Sequence, residues 1–147
     1  MTSQEKKAYL SRYRQADLEL DRLYEELARW RARAEKSTST LSQEPAGGRD
    51  GGNQVETAVE KIDAIQGQIN AEIDRVMEIK QQVVDAIKTV SDQTLQVLLS
   101  LRYVQGETFE QIVVAMNYSW RQIIRLHGKA LLKIDQDVIE CHIDPVI

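Results

Sequence analysis

The chain has 147 residues, 42% hydrophobic and 29% charged, with a net charge of −4; that is the length of one domain and the balance of a folded, soluble protein. One cysteine, Cys141, excludes an internal disulfide, and no Cys/His spacing suits zinc, so no metal or other cofactor is expected. No apolar run approaches the roughly eighteen residues a bilayer span needs, and the start of the chain lacks a signal-peptide core, so a cytoplasmic protein with no membrane partner is expected.

Pro45 and Pro145 are the only prolines, and both lie outside the periodic stretches, which predicts an all-α fold. From residue 1 to 34, Tyr9, Tyr13, Ala16, Leu20, Leu23, Leu27, Trp30 and Ala34 recur at alternating fours and threes. That is the seam of a helix needing a helical partner. Residues 35–54 hold four of the seven glycines, a proline and a Ser/Thr cluster, and are expected to be a flexible linker. From 55 to 90, Val55, Ile62, Ile69, Val76, Val83 and Val90 repeat every seven residues, with Ile65, Ile73, Ile79 and Ile87 on the same side. This second helix pairs either with the first, as a hairpin, or with another subunit as a coiled coil.

The pattern then shortens into three pieces over 91–136. Ser91 and Asp92 offer N-cap chemistry before Leu95, Leu98, Leu99 and Leu101, and this helix ends near Gly106. Thr108 with Gln111, and Ser119 with Gln122, have the spacing of capping boxes that open two further helices. The first carries Phe109, Ile112, Val113 and Met116 and stops at Asn117; the second buries Ile123, Leu126, Ala130, Leu131 and Ile134. Three short helices, the last two joined by a tight turn, make a helix-turn-helix. Residues 137–147 read as an acidic tail.

Charge is unevenly spread. Residues 55–90 carry four bases and seven acids, whereas 91–134 carry five bases and three acids, a net +2. Arg121, Arg125, Lys129 and Lys133 recur every four residues along one helix face, and no acid occurs from Gln111 to Ile134. Such a row is expected to meet a polyanion, double-stranded DNA being the simplest; the alternative is neutralisation by Asp135, Asp137, Glu140 and Asp144. A lone His127 in this helix is expected to be structural or phosphate-facing. Adjacent Cys141 and His142 lack further ligands. No phosphate loop or nucleophile–base set is present, so no catalytic residue is expected and the chain is read as a non-enzyme.

The stretch TFEQIVVAMNYSWRQIIRLHGKALLKI, 108–134, resembles region four of bacterial sigma factors, on Glu110, Ile112, Met116, Ser119, Ile123, Leu126, Lys129, Ala130, Leu131, Lys133 and Ile134. Over its whole length, with Ser37–Ser42 and Arg125–Leu131 as markers, the chain resembles phage and prophage regulators of Gram-positive bacteria related to the RinA and ArpU late activators. The resemblance implies a transcription regulator whose last helix reads promoter DNA. By position the base-reading residues are then Trp120, Arg121, Gln122, Ile124 and Arg125, with Ser119, Lys129 and Lys133 completing the DNA-binding set. Arg121 and Arg125 suit guanine and Gln122 suits adenine. Trp120 and Ile124 depart from the family's polar pattern, and either touch thymine methyls or pack against the preceding helices.

A single such module makes few contacts, so a homo-oligomer is expected, with RNA polymerase as a candidate further partner. Two rival functions share these features. A DNA-packaging protein of the terminase small-subunit kind also joins a helix-turn-helix to long oligomerising helices. A protein-interaction adaptor would use the module as a docking surface.

Overall fold

The computed structural model describes the backbone of residues 1–43 and 48–143 and the side chains of 1–36 and 54–142. Its elements are α1 (Ser3–Gln43), α2 (Gly48–Lys88), α3 (Gln93–Leu99), a π-helical turn (Ser100–Val104), α4 (Phe109–Met116), α5 (Trp120–Lys133) and α6 (Gln136–Ile143). No strand occurs among the described residues, and the all-α expectation holds. Two compact units divide the chain: Leu18–Arg75, and Met1–Asp17 together with Val76–Ile147.

In the first unit the two seams close on each other within one chain. Leu27, Ile65 and Ile69 form its buried core, with Leu20, Leu23, Trp30, Ile62 and Ile73 packed around them. The long helices therefore build a helical hairpin. Both extend into the expected linker at 35–54, most of which is helical, α1 through Gln43 and α2 from Gly48, while α2 stops at Lys88, short of the expected 90. Once a packed helix exists, each added residue gains a hydrogen bond without a new nucleation penalty, and this outweighs the poor helix propensity of Ser, Thr and Gly. The part of the linker at 44–47 lies outside the described residues.

The second unit holds local caps and, in its helix-turn-helix, a small core. Thr2 and Glu5 exchange side-chain and backbone hydrogen bonds of 2.7 and 3.2 Å at the start of α1. Asp92 accepts from the amides of Thr94 and Leu95 and starts α3. Leu98, Ile112 and Ile123, one from each of α3, α4 and α5, are fully buried together. Leu101, Phe109, Val113, Met116, Tyr118 and Leu126 close around them. Between α4 and α5 the chain reverses at Asn117, which is left-handed at φ 56°, a conformation that Asn tolerates better than most residues.

Two features set α5 in place at its far end. Lys6, nearly buried, donates its ammonium to the carbonyls of Leu132 at 3.5 Å and Ile134 at 3.1 Å. These carbonyls lie at the end of α5, where no helical amide remains to satisfy them. The expected acidic tail at 137–147 is in fact a short helix, α6, as far as Ile143. Asp135 caps it by accepting from the amide of Asp137 at 2.9 Å, and Ile139 is completely buried. Four acids in thirteen residues masked this one anchoring side chain. Asp144 to Ile147 lie outside the described residues.

Candidate nucleic-acid interface

Both capping boxes flanking the turn form. Thr108 Oγ1 accepts from the Gln111 amide at 3.2 Å and Gln111 Oε1 from the Thr108 amide at 2.8 Å. Ser119 and Gln122 repeat the exchange at 3.2 and 2.9 Å. The Ser119 hydroxyl and the Gln122 carbonyl oxygen therefore act as acceptors within the box at the start of α5. The Ser119 O–H and the Gln122 amide NH2 are the donors this leaves.

Along α5 the side chains fall into three rows. Ile123, His127, Ala130 and Leu131 are buried, and Ile134 continues the row at the C-cap. Arg121, Arg125, Lys129 and Lys133 are all exposed. Ion pairs among the described residues join Arg14 to Asp17, Arg22 to Glu19 and Arg75 to Glu72, and none involves α5. No ion pair joins the row to Asp135, Asp137 or Glu140; Asp144 lies outside the described residues. The third row, Trp120, Ile124, Gly128 and Leu132, is apolar and open. Trp120 is 51% exposed, Ile124 42% and Leu132 73%. Trp120 also leans edge-on against Phe109, with ring centroids 6.2 Å apart. The indole thus packs on α4, one of the two expectations for it, while half its surface faces out.

His127 was read from sequence as structural or phosphate-facing; it is 6% exposed, and its Nε2 is 2.7 Å from the Tyr103 hydroxyl. Burial, with Lys7 and then Arg102 adding to it, pulls the imidazole down to about 4. Burial likewise pushes the Tyr103 phenol up to about 12, with Arg102 opposing. The pair is therefore neutral near pH 7, a hydrogen-bonded strut between the π-helical turn and α5. His127 lies four residues from both Ile123 and Leu131, a position that puts it on the apolar face. Its partner could not be read, because Tyr103 is 24 residues away on a turn whose geometry leaves no sequence signature.

At the other end of the chain, Cys141 is exposed and His142 Nδ1 contacts the Tyr9 hydroxyl. No group of three potential metal ligands occurs among the described residues, and no helix there is long and apolar enough to cross a membrane. Comparison with family models, with curated proteins and with solved structures finds no match to this chain.

Proposed function

We propose that the chain is a DNA-binding transcription regulator that lays α5 in the major groove. The observation that carries this reading is the row Arg121, Arg125, Lys129 and Lys133, exposed and without an acidic partner on the second helix of a helix-turn-helix. Four cations on one helix face repel one another, and duplex phosphate is the ligand whose charge density and groove width suit a helix so loaded. Arg121 and Arg125, in the first turns, are placed to reach base edges, while Lys129 and Lys133 address the backbone. A phage or prophage regulator acting as a homo-oligomer, with RNA polymerase as a second partner, is the form of this function to which the sigma-like sequence points.

A second reading rests on the third row. Trp120, Ile124 and Leu132 offer apolar surface beside the cations, which suits an adaptor that docks on another protein. Fluorescence anisotropy on a mixed-sequence duplex at low salt separates the two. The DNA reading expects binding that weakens steeply with salt. It also expects the pair Arg121→Ala and Arg125→Ala to lower affinity at least about tenfold and the salt slope by roughly two, with helicity unchanged. Wild-type-like binding by that double variant takes α5 out of the interface.

A further inference from the structure

Lys7, Ser11 and Arg14 of α1 converge with Arg102 and Tyr103 of the π-helical turn around a cleft of about 320 Å³. Phe109 and His127 close its inner side. We propose that this cleft is a binding site for a small, multiply charged oxyanion of the phosphate class, gripped by Lys7, Arg14 and Arg102.

Several independent features build the site. Three cations line it and no carboxylate does. Lys7 and Arg102 have no acidic partner among the described residues, and Arg14 meets only Asp17, at 3.5 Å. Glu107, the nearest acid in sequence to the turn, gives its backbone carbonyl to Arg102 Nη1 at 3.1 Å, and its buried Oε2 has no hydrogen-bond partner. The cleft is also shaped at some cost. A π turn is rare, and where it occurs it often marks a functional position; here it presents Arg102 and Tyr103. Gly106 follows with φ +73°, and a Cβ there would collide with the Arg14 guanidinium. Glycine at 106 thus permits both the turn and the seating of Arg14. Behind the cations, Tyr103 and His127 are at most 6% exposed and hydrogen-bonded to each other, a rigid polar floor.

The chemistry of the ligand follows from this lining. Guanidinium forks and an ammonium recognise phosphate and carboxylate oxygens, and three positive charges favour an anion carrying more than one negative charge. The volume is at the lower end for small-molecule sites. His127 lies on the buried side of α5, away from the Arg121–Lys133 row, so a duplex on that row leaves the cleft free for a small ligand.

The site also reaches Trp120, on the open side of α5, through one ring. Phe109 has the Arg102 guanidinium 4.2 Å from its centroid, His127 at 5.0 Å and Trp120 at 6.2 Å. A ligand that draws Arg102 toward itself changes the support of Trp120 on the recognition helix. This coupling rests on the DNA reading of α5; oxyanion binding does not.

Calorimetric titration of the full chain with inorganic pyrophosphate at fixed ionic strength tests the proposal. One saturable site with Kd below about 1 mM is expected. Lys7→Gln with Arg14→Gln is expected to weaken it at least about tenfold, whereas Arg121→Ala with Arg125→Ala leaves it unchanged. In the unaltered protein, NMR titration of the His127 ring gives a second readout, since a bound anion must raise its pKa against the field of Lys7 and Arg102, with Tyr103 as its hydrogen-bonded titratable neighbour. Absence of saturable heat, or a His127 titration indifferent to pyrophosphate, overturns the site. So does loss of binding in the Arg121/Arg125 variant with retention in the Lys7/Arg14 variant. Duplex affinity of the same two double variants is read separately, so a failure of the DNA reading leaves this outcome interpretable.

Discussion

His127 is buried as a neutral ring, and the energetic consequence is a pH dependence with a definite sign. Its pKa falls from an ordinary value near 6.5 to about 4 on folding. As pH drops from about 6.5 toward about 4, the unfolded chain takes up a proton that the native state refuses, and stability declines by at most about 1.4 kcal/mol per pH unit. Above that window the term is fully present. Urea midpoints across this range should fall more steeply for the wild type than for His127→Gln, which keeps a hydrogen-bonding group near Tyr103 but does not titrate; equal slopes would show that another group controls the decline. Gly128 makes a different point about a single residue. It lies on the exposed side of α5, and a Cβ there meets nothing within 4 Å; the same holds for Gly67 in α2. Neither glycine is required by packing inside the chain, so Gly67→Ala and Gly128→Ala should each raise stability by about 1 kcal/mol. On the proposed DNA reading, only Gly128→Ala should also weaken duplex binding, because the bare backbone at that point permits close approach of a ligand. Unchanged DNA affinity in Gly128→Ala would mean that nothing approaches α5 so closely.

At the scale of elements, α6 has the largest effect for its size. Ile139 is its fully buried residue, and Ile139→Ala should cost about 2–5 kcal/mol, a loss measurable by thermal or urea unfolding. A change within a few tenths of a kcal/mol would instead describe a solvated acidic tail. What was legible here depended on the range of the interactions. Thr108–Gln111 and Ser119–Gln122 are boxes closed within four residues, so spacing alone located the ends of α4 and α5. The heptads of α1 and α2 likewise showed a seam, because a buried stripe repeats along its own helix. Which partner closed that seam was not written in either stripe and needed the packing of Leu27 on Ile65 and Ile69. The π-helical turn is local but leaves no spacing of its own, while the buried Lys6 and the anchoring of α6 depend on groups far apart in sequence. Lys6 finds its acceptors at 132 and 134, and no local pattern records that. The cationic row of α5 was visible as a periodicity; the converging Lys7, Arg14 and Arg102 were not, since α1, the π-helical turn, α4 and α5 together supply the lining of their cleft.

For the whole molecule, the division into Leu18–Arg75 and the remainder makes a claim about cooperativity. α1 and α2 run through both units, yet each unit has its own buried cluster, Leu27 with Ile65 and Ile69 in one and Leu98 with Ile112 and Ile123 in the other. A continuous helix transmits little stability along its length once side-chain packing is lost, because helices of fifteen residues or fewer are marginal alone in water. The parts of α1 and α2 outside the hairpin unit have their own anchors: Tyr9, Leu10, Val83 and Ile87 are all buried there. Leu27→Ala, which removes the centre of the hairpin cluster, should therefore cost about 2–5 kcal/mol in that unit while the helix-turn-helix stays protected. Hydrogen exchange resolved by segment reads this directly: amides of 18–36 and 54–75 should exchange faster, and those of α3, α4 and α5 at their former rate. Equal acceleration in both would show one cooperative unit, in which the hairpin supports α5 energetically. Selective acceleration assigns the hairpin a separate folding unit, open to loss or rearrangement without disturbing the cationic face of α5.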